Sequence, residues 1–153
     1  MKTAPGKTSN IAWAKILFNF VFSTIMLFIS FFLIVLFCKR LNDIYQIWLM
    51  FASVVFVNGG LILWSFEMDI VNPNLREVAS TGTTSNLKNF SHSIMIGFVV
   101  SLLFAILGLI FLLDDGDMMF VWVRIVGMSI IFFLCRLYLF RSNLHVYFKE
   151  IEF

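Results

Sequence analysis

The sequence predicts an all-α integral membrane protein with four transmembrane helices, arranged as an antiparallel up-down bundle of two hairpins. The first observation is that four apolar stretches fill most of the 153 residues, and each exceeds the roughly 20 residues that a helix needs to cross a bilayer. The second is that only 13% of the residues are charged and the mean hydropathy is +0.96, whereas soluble domains carry about 25% charged residues. Because hydrocarbon offers backbone amides no hydrogen-bond partners, the stretches are expected to be α-helices. They lie at about residues 11–37, 44–66, 93–113 and 118–140, within a single domain that covers residues 1–153.

The first apolar stretch is expected to be a retained helix rather than a cleavable signal peptide. It is longer than the roughly 7–15 apolar residues of a signal sequence, and no small-residue cleavage pattern ends it. Only a short polar segment, from Lys39 to Asp43, separates it from the second stretch. Such a short connection predicts that helices 1 and 2 form an antiparallel hairpin.

The second pair of helices is predicted to form another hairpin, because only the acidic turn from Asp114 to Asp117 joins them. The one long connection in the chain, residues 67–92, is polar and rich in Asn, Ser, Thr and Gly. These residues favour turns, so this segment is predicted to be a mobile loop between the hairpins.

The distribution of positive charge predicts that both termini lie on the cytoplasmic side, or on the matrix-equivalent side of an organelle. Lys and Arg are retained on that face when they flank membrane helices. In this orientation it holds Lys2, Lys7, Lys15, Arg76, Lys88, Arg136, Arg141 and Lys149, against Lys39, Arg40 and Arg124 on the other. Lys39 and Arg40 oppose the trend, but the same topology places them beside the acidic turn.

Helix 1 carries a polar stripe formed by Lys15, Asn19 and Ser23, which recur at intervals of four residues and therefore share one face. The stripe could line a hydrated path through the membrane. Alternatively, Lys15 extends its ammonium to the interface while Asn19 and Ser23 hydrogen-bond to a neighbouring helix.

Two arginines lie within helix 4, where a charge is costly enough to suggest a function. Arg124 is within reach of the acidic turn, and Asp117 lies on a similar face seven residues earlier. Arg136 lies near the opposite end, on the side that also carries Glu67 and Asp69. Each arginine therefore either extends to the interface or pairs with an acid, and a pore or substrate ligand is the alternative for Arg124.

Asn58 precedes Gly59 and Gly60 in helix 2. Paired glycines weaken a helix and can leave carbonyl groups free to bind a ligand. They also allow a second helix to approach closely, which explains them more simply.

Helix 3 presents a row of small residues at intervals of about four, and we expect this row to be its helix-packing interface. Small residues let membrane helices approach each other closely, which is how helices associate in lipid. The row consists of Ser93, Gly97, Ser101, Ala105 and Gly108.

No catalytic, cofactor or metal motif is recognisable. His92 and His145 are expected near helix ends on the same side, so they cannot form a haem pair across the membrane, and no cysteine accompanies them at metal-ligand spacing. A net charge of +2 with scattered basic residues disfavours nucleic-acid binding.

These patterns favour a non-enzymatic multi-pass membrane subunit, or an assembly or scaffold protein, that packs within a larger membrane complex or a homo-oligomer. The expected partners are membrane lipids and other membrane protein subunits or further copies of the chain, because 20 Phe residues provide a large lipid or protein contact surface. The alternative is a small ion channel or transporter that uses the polar residues of helices 1 and 4. A lipid-modifying enzyme would need an interfacial base or nucleophile that the sequence does not identify.

Overall fold

The computed structural model describes residues 8–37, 44–71, 87–115 and 117–149, and nearly all of them are helical. Within these ranges the helices are α1 (Thr8–Phe37), α2 (Ile44–Val71), α3 (Leu87–Asp115) and α4 (Met118–Lys149). Each contains a segment of at least 24 residues that is long and apolar enough to cross a membrane. Within the described ranges, the prediction of four helices long and apolar enough to span a membrane is therefore confirmed, as is the all-helical class.

The helices extend beyond the apolar stretches that predicted them. Residues 67–71 belong to α2 and residues 87–92 to α3, although the sequence predicted a loop throughout 67–92. The difference arises because the backbone bonds of a helix do not depend on side-chain hydrophobicity, and polar side chains in both extensions bond to neighbouring helices, as described below. The centre of the predicted mobile loop, residues 72–86, lies outside the described residues.

The most extensive helix contact joins α2 to α4, which are far apart in the chain. α1 packs mainly on α2 and only slightly on α4, whereas α3 packs on both. Within the described ranges, no Cα atoms of α1 and α3 lie within 8 Å of each other. The bundle therefore consists of a central α2–α4 pair with one helix on each side.

The close approach of α2 to α4 depends on the paired glycines of α2. A Cβ atom at Gly60 would lie 2.5 Å from Cε1 of Phe132, and one at Gly59 would lie 2.9 Å from rings of Phe133 and Phe20. The helix continues through both glycines without a break. Gly59 and Gly60 therefore provide the surface of α2 against which phenylalanines of α4 and α1 pack.

One end of this central pair contains the buried core. Ile16, Leu63 and Phe140 form a cluster from three different helices. The ring of Trp13 meets that of Phe140 edge-on, with 5.4 Å between centroids. This end therefore brings α1, α2 and α4 together.

Candidate functional site

The strongest polar contact in the described bundle is an ion pair between α2 and α4. Nη2 of Arg136 donates to Oε2 of Glu67 at 2.6 Å, and the two side chains are only 13% and 15% exposed. The other carboxylate oxygen accepts a hydrogen bond from Asn143. The guanidinium also lies over the ring of Trp64, 4.0 Å from its centroid, where the negative face of the indole attracts a cation.

This ion pair decides between the two interpretations of Arg136. The arginine does not extend alone to the interface but pairs with Glu67, one of the two acids that the sequence suggested for it. Charge-assisted bonds of this kind are stronger than neutral ones. Nε of Arg136 is buried and has no hydrogen-bond partner within the described part of the chain.

A second polar layer joins the same end of α2 to α3. The hydroxyls of Ser65 and Ser93 share a hydrogen bond of 2.9 Å. Nδ2 of the buried Asn89 donates to Oδ1 of Asp69 at 3.1 Å. Asp69 therefore bonds to α3, while Glu67 bonds to α4, and α2 is the common partner.

Arg124 makes a weaker contact at the opposite end. Its guanidinium reaches the acidic turn as predicted, but Nη1 pairs with Asp114, at 3.4 Å, rather than with Asp117. These side chains are 46% and 72% exposed. Asp117 instead accepts a hydrogen bond of 3.0 Å from the backbone N–H of Met119, which is the contact expected of a residue that caps a helix.

The polar stripe of α1 is divided in the structure. Ser23 donates to the carbonyl of Phe20 at 3.1 Å and accepts a bond of 2.7 Å from Nδ2 of Asn58. Lys15 and Asn19 are exposed. The stripe therefore faces α2 only at Ser23, and Asn58 is the residue that it meets there.

The small-residue row of α3 meets the rest of the bundle at its two ends. Ser93 bonds to Ser65, and a Cβ atom at Gly97 would lie 3.9 Å from Leu61. One at Gly108 would lie 3.4 Å from Ile125 of α4. Ser101 and Ala105, in the middle of the row, remain exposed and line a cleft.

This cleft has a volume of about 620 Å³ and is lined mainly by α2, α3 and α4, with Leu27 from α1. Its polar lining residues are Ser53, Asn58, Ser101 and Ser129. Ser53 and Ser129 donate to carbonyls of their own helices, each at 2.7 Å. Lys15, Asn19, Arg124 and Arg136 do not line it. The sequence indicated the small-residue row but not the cleft, since its volume depends on how four helices pack.

Among the described residues, no three His, Cys, Asp or Glu side chains converge as metal ligands. His92 is exposed, and the side chain of His145 lies outside the described part. The absence of a metal or cofactor therefore stays a prediction.

No family model, curated protein or solved structure matches this chain. The described residues themselves are therefore the basis for any functional proposal.

Proposed function

We propose that this protein is a non-enzymatic multi-pass membrane subunit, or an assembly or scaffold protein, that packs within a larger membrane complex or a homo-oligomer. The observation that carries the proposal is the position of Asn19. This residue lies inside the apolar span of α1, and its side chain is exposed on the outside of the bundle. The amide therefore faces the surroundings of the helix rather than its neighbours.

An amide in this position favours a partner helix. Hydrocarbon cannot satisfy its donors and acceptor, whereas polar side chains of another membrane helix can. Lys15 lies one turn earlier on the same face and is also exposed. α1 is also the least embedded helix, since its packing is mainly on α2 alone. We propose that the face with Asn19 and Lys15 contacts another subunit or a second copy.

The test is to compare wild type with Asn19→Leu after purification in mild detergent and in lipid nanodiscs. We expect wild type to migrate as a complex of defined stoichiometry. We expect Asn19→Leu to weaken that association about 3- to 15-fold, as expected for the loss of one hydrogen bond between membrane helices.

Phe18→Leu is the control, because Phe18 is exposed on α1 but is apolar. The association of this variant should equal that of wild type. A wild-type protein that is monomeric by mass in nanodiscs and co-purifies with no stoichiometric partner would contradict the proposal.

We also propose that the bundle is inserted in a membrane as an antiparallel up-down arrangement with both termini on the cytoplasmic or matrix-equivalent side. The contacts support alternating directions. Between α1 and α2, Ser23 meets Asn58 and Phe28 meets Phe51, so the contacts ascend one helix as they descend the other. Between α3 and α4, Phe104 meets Phe132 and Asp114 meets Arg124 in the same manner.

This topology predicts equal accessibility at the two ends of the chain. Single cysteines replacing Thr8 or Ser142, in a background without Cys38 and Cys135, should both resist a membrane-impermeant reagent added to sealed right-side-out vesicles. Both should react after permeabilisation. Labelling of only one of them before permeabilisation would contradict an even number of spans.

A further inference from the structure

We propose that the cleft between α2, α3 and α4 binds a hydrocarbon chain of a membrane phospholipid. The inference rests on the proposed membrane insertion but not on association with another subunit. It is drawn from three properties of the cleft, which are its polarity, its dimensions and its opening.

The walls offer few hydrogen-bond donors to a polar ligand, although four lining residues are polar. The hydroxyls of Ser53 and Ser129 donate to Met50 and Ile125 of their own helices. Nδ2 of Asn58 donates to Ser23. The remaining walls are mainly apolar, so an ion or a polar solute would recover little of the hydration that it loses here, and the lining favours an apolar occupant.

The dimensions of the cleft suit a hydrocarbon chain. Lining residues extend from Met118 to Ser129 on α4 and from Ser101 to Leu112 on α3, a length of roughly 16 Å in each helix. The cleft itself offers about 620 Å³. An extended hydrocarbon chain about 4 Å wide needs roughly 200 Å³ over the same length, so one or two chains fit.

The cleft is also open to its surroundings. Val54, Leu109 and Met118 line it and are exposed. These residues come from three different helices, all within the segments that are apolar enough to span a membrane. A phospholipid chain can therefore enter from the bilayer, and it would replace contacts that the small side chains of Ser101 and Ala105 leave unmade.

The test is Ala105→Leu, which places a larger side chain in the cleft, compared with Ala14→Leu. Ala14 is an exposed alanine of α1 that does not line the cleft, so the two variants share the same chemical change. Each protein is purified in mild detergent, and the bound phospholipid is counted by native mass spectrometry. We expect wild type and Ala14→Leu to retain phospholipid, and we expect retention by Ala105→Leu to fall at least fivefold.

A second measurement does not depend on the folding of Ala105→Leu. Trp122 lines the cleft, so a phospholipid with brominated chains, titrated into delipidated wild type in micelles, should quench its fluorescence, with saturation near one equivalent. The difference in quenching between wild type and Trp122→Phe measures how much of the quenching comes from lipid bound in the cleft. Equal phospholipid counts in the three proteins would overturn the proposal, as would unsaturable quenching. A loss of oligomeric mass in Ala105→Leu at constant lipid count would overturn it as well, because the cleft would then receive protein.

Discussion

Replacing Glu67 with alanine should lower the free energy of unfolding by about 3–5 kcal/mol, because it leaves the charge of Arg136 buried and unpaired. The variant loses the bond from Nη2 of Arg136 and the bond from Asn143. Among the described residues, the ring of Trp64 is the contact that then remains against the guanidinium. The loss is measured by denaturant titration of the purified protein in mixed micelles, with helix content as the signal.

The exposed ion pair of the same chain provides the control. Asp114→Ala removes one partner of Arg124, whose side chain is 46% exposed, and should cost no more than about 1 kcal/mol. The double variant Glu67→Leu with Arg136→Met should recover most of the stability, because it removes both charges and preserves much of the volume. Equal losses in Glu67→Ala and Asp114→Ala would mean that burial does not set the strength of these pairs.

Replacing Gly60 with leucine should cost about 3 kcal/mol, at the upper end of overpacking penalties. A Cβ atom alone would lie 2.5 Å and 2.8 Å from two carbons of the Phe132 ring. That ring also packs edge-on against Phe104, with 6.1 Å between centroids. Relief of the clash therefore disturbs the contact of α4 with α3 as well as that with α2. The measurement is the same titration.

Gly127→Leu is the matched control, because no atom lies within 4 Å of a Cβ built at that glycine. It should be neutral or slightly stabilising, by up to about 1 kcal/mol, since leucine favours helix more than glycine does. Adding Phe132→Ala to Gly60→Leu should restore part of the loss, because it removes the clashing ring. If Gly60→Leu is as stable as Gly127→Leu, the close approach of α2 to α4 at this point is not required for folding.

Features that depend on residues close together in the sequence could be predicted from it, whereas features that depend on contacts between distant residues mostly could not. The helices were predictable because apolar length is a local property, and Glu67 was a suggested partner of Arg136 because topology alone places them on one side. The helical extension of α2 to Val71 was missed, since its polar residues look like a loop until Asp69 and Asn89 are seen to bond.

Packing accounts for the rest of what the sequence did not predict. Arg124 pairs with Asp114, whereas Asp117 caps α4. The cleft beside Ala105 was not predictable, because it is the space left between packed helices. Sequence patterns indicate the faces of single helices but not the distances between them.

The ion pair between α2 and α4 imposes an order on biosynthesis. Glu67 and Arg136 are separated by 69 residues in the chain, and translation proceeds at about 5–20 residues per second. Once Glu67 has been synthesised, roughly 3–14 s must pass before its partner is added to the nascent chain. During this interval α1 and α2 can make their mutual contacts, but the carboxylate at the end of α2 lacks its native partner Arg136. The central helix pair can therefore close only after the last helix has been made.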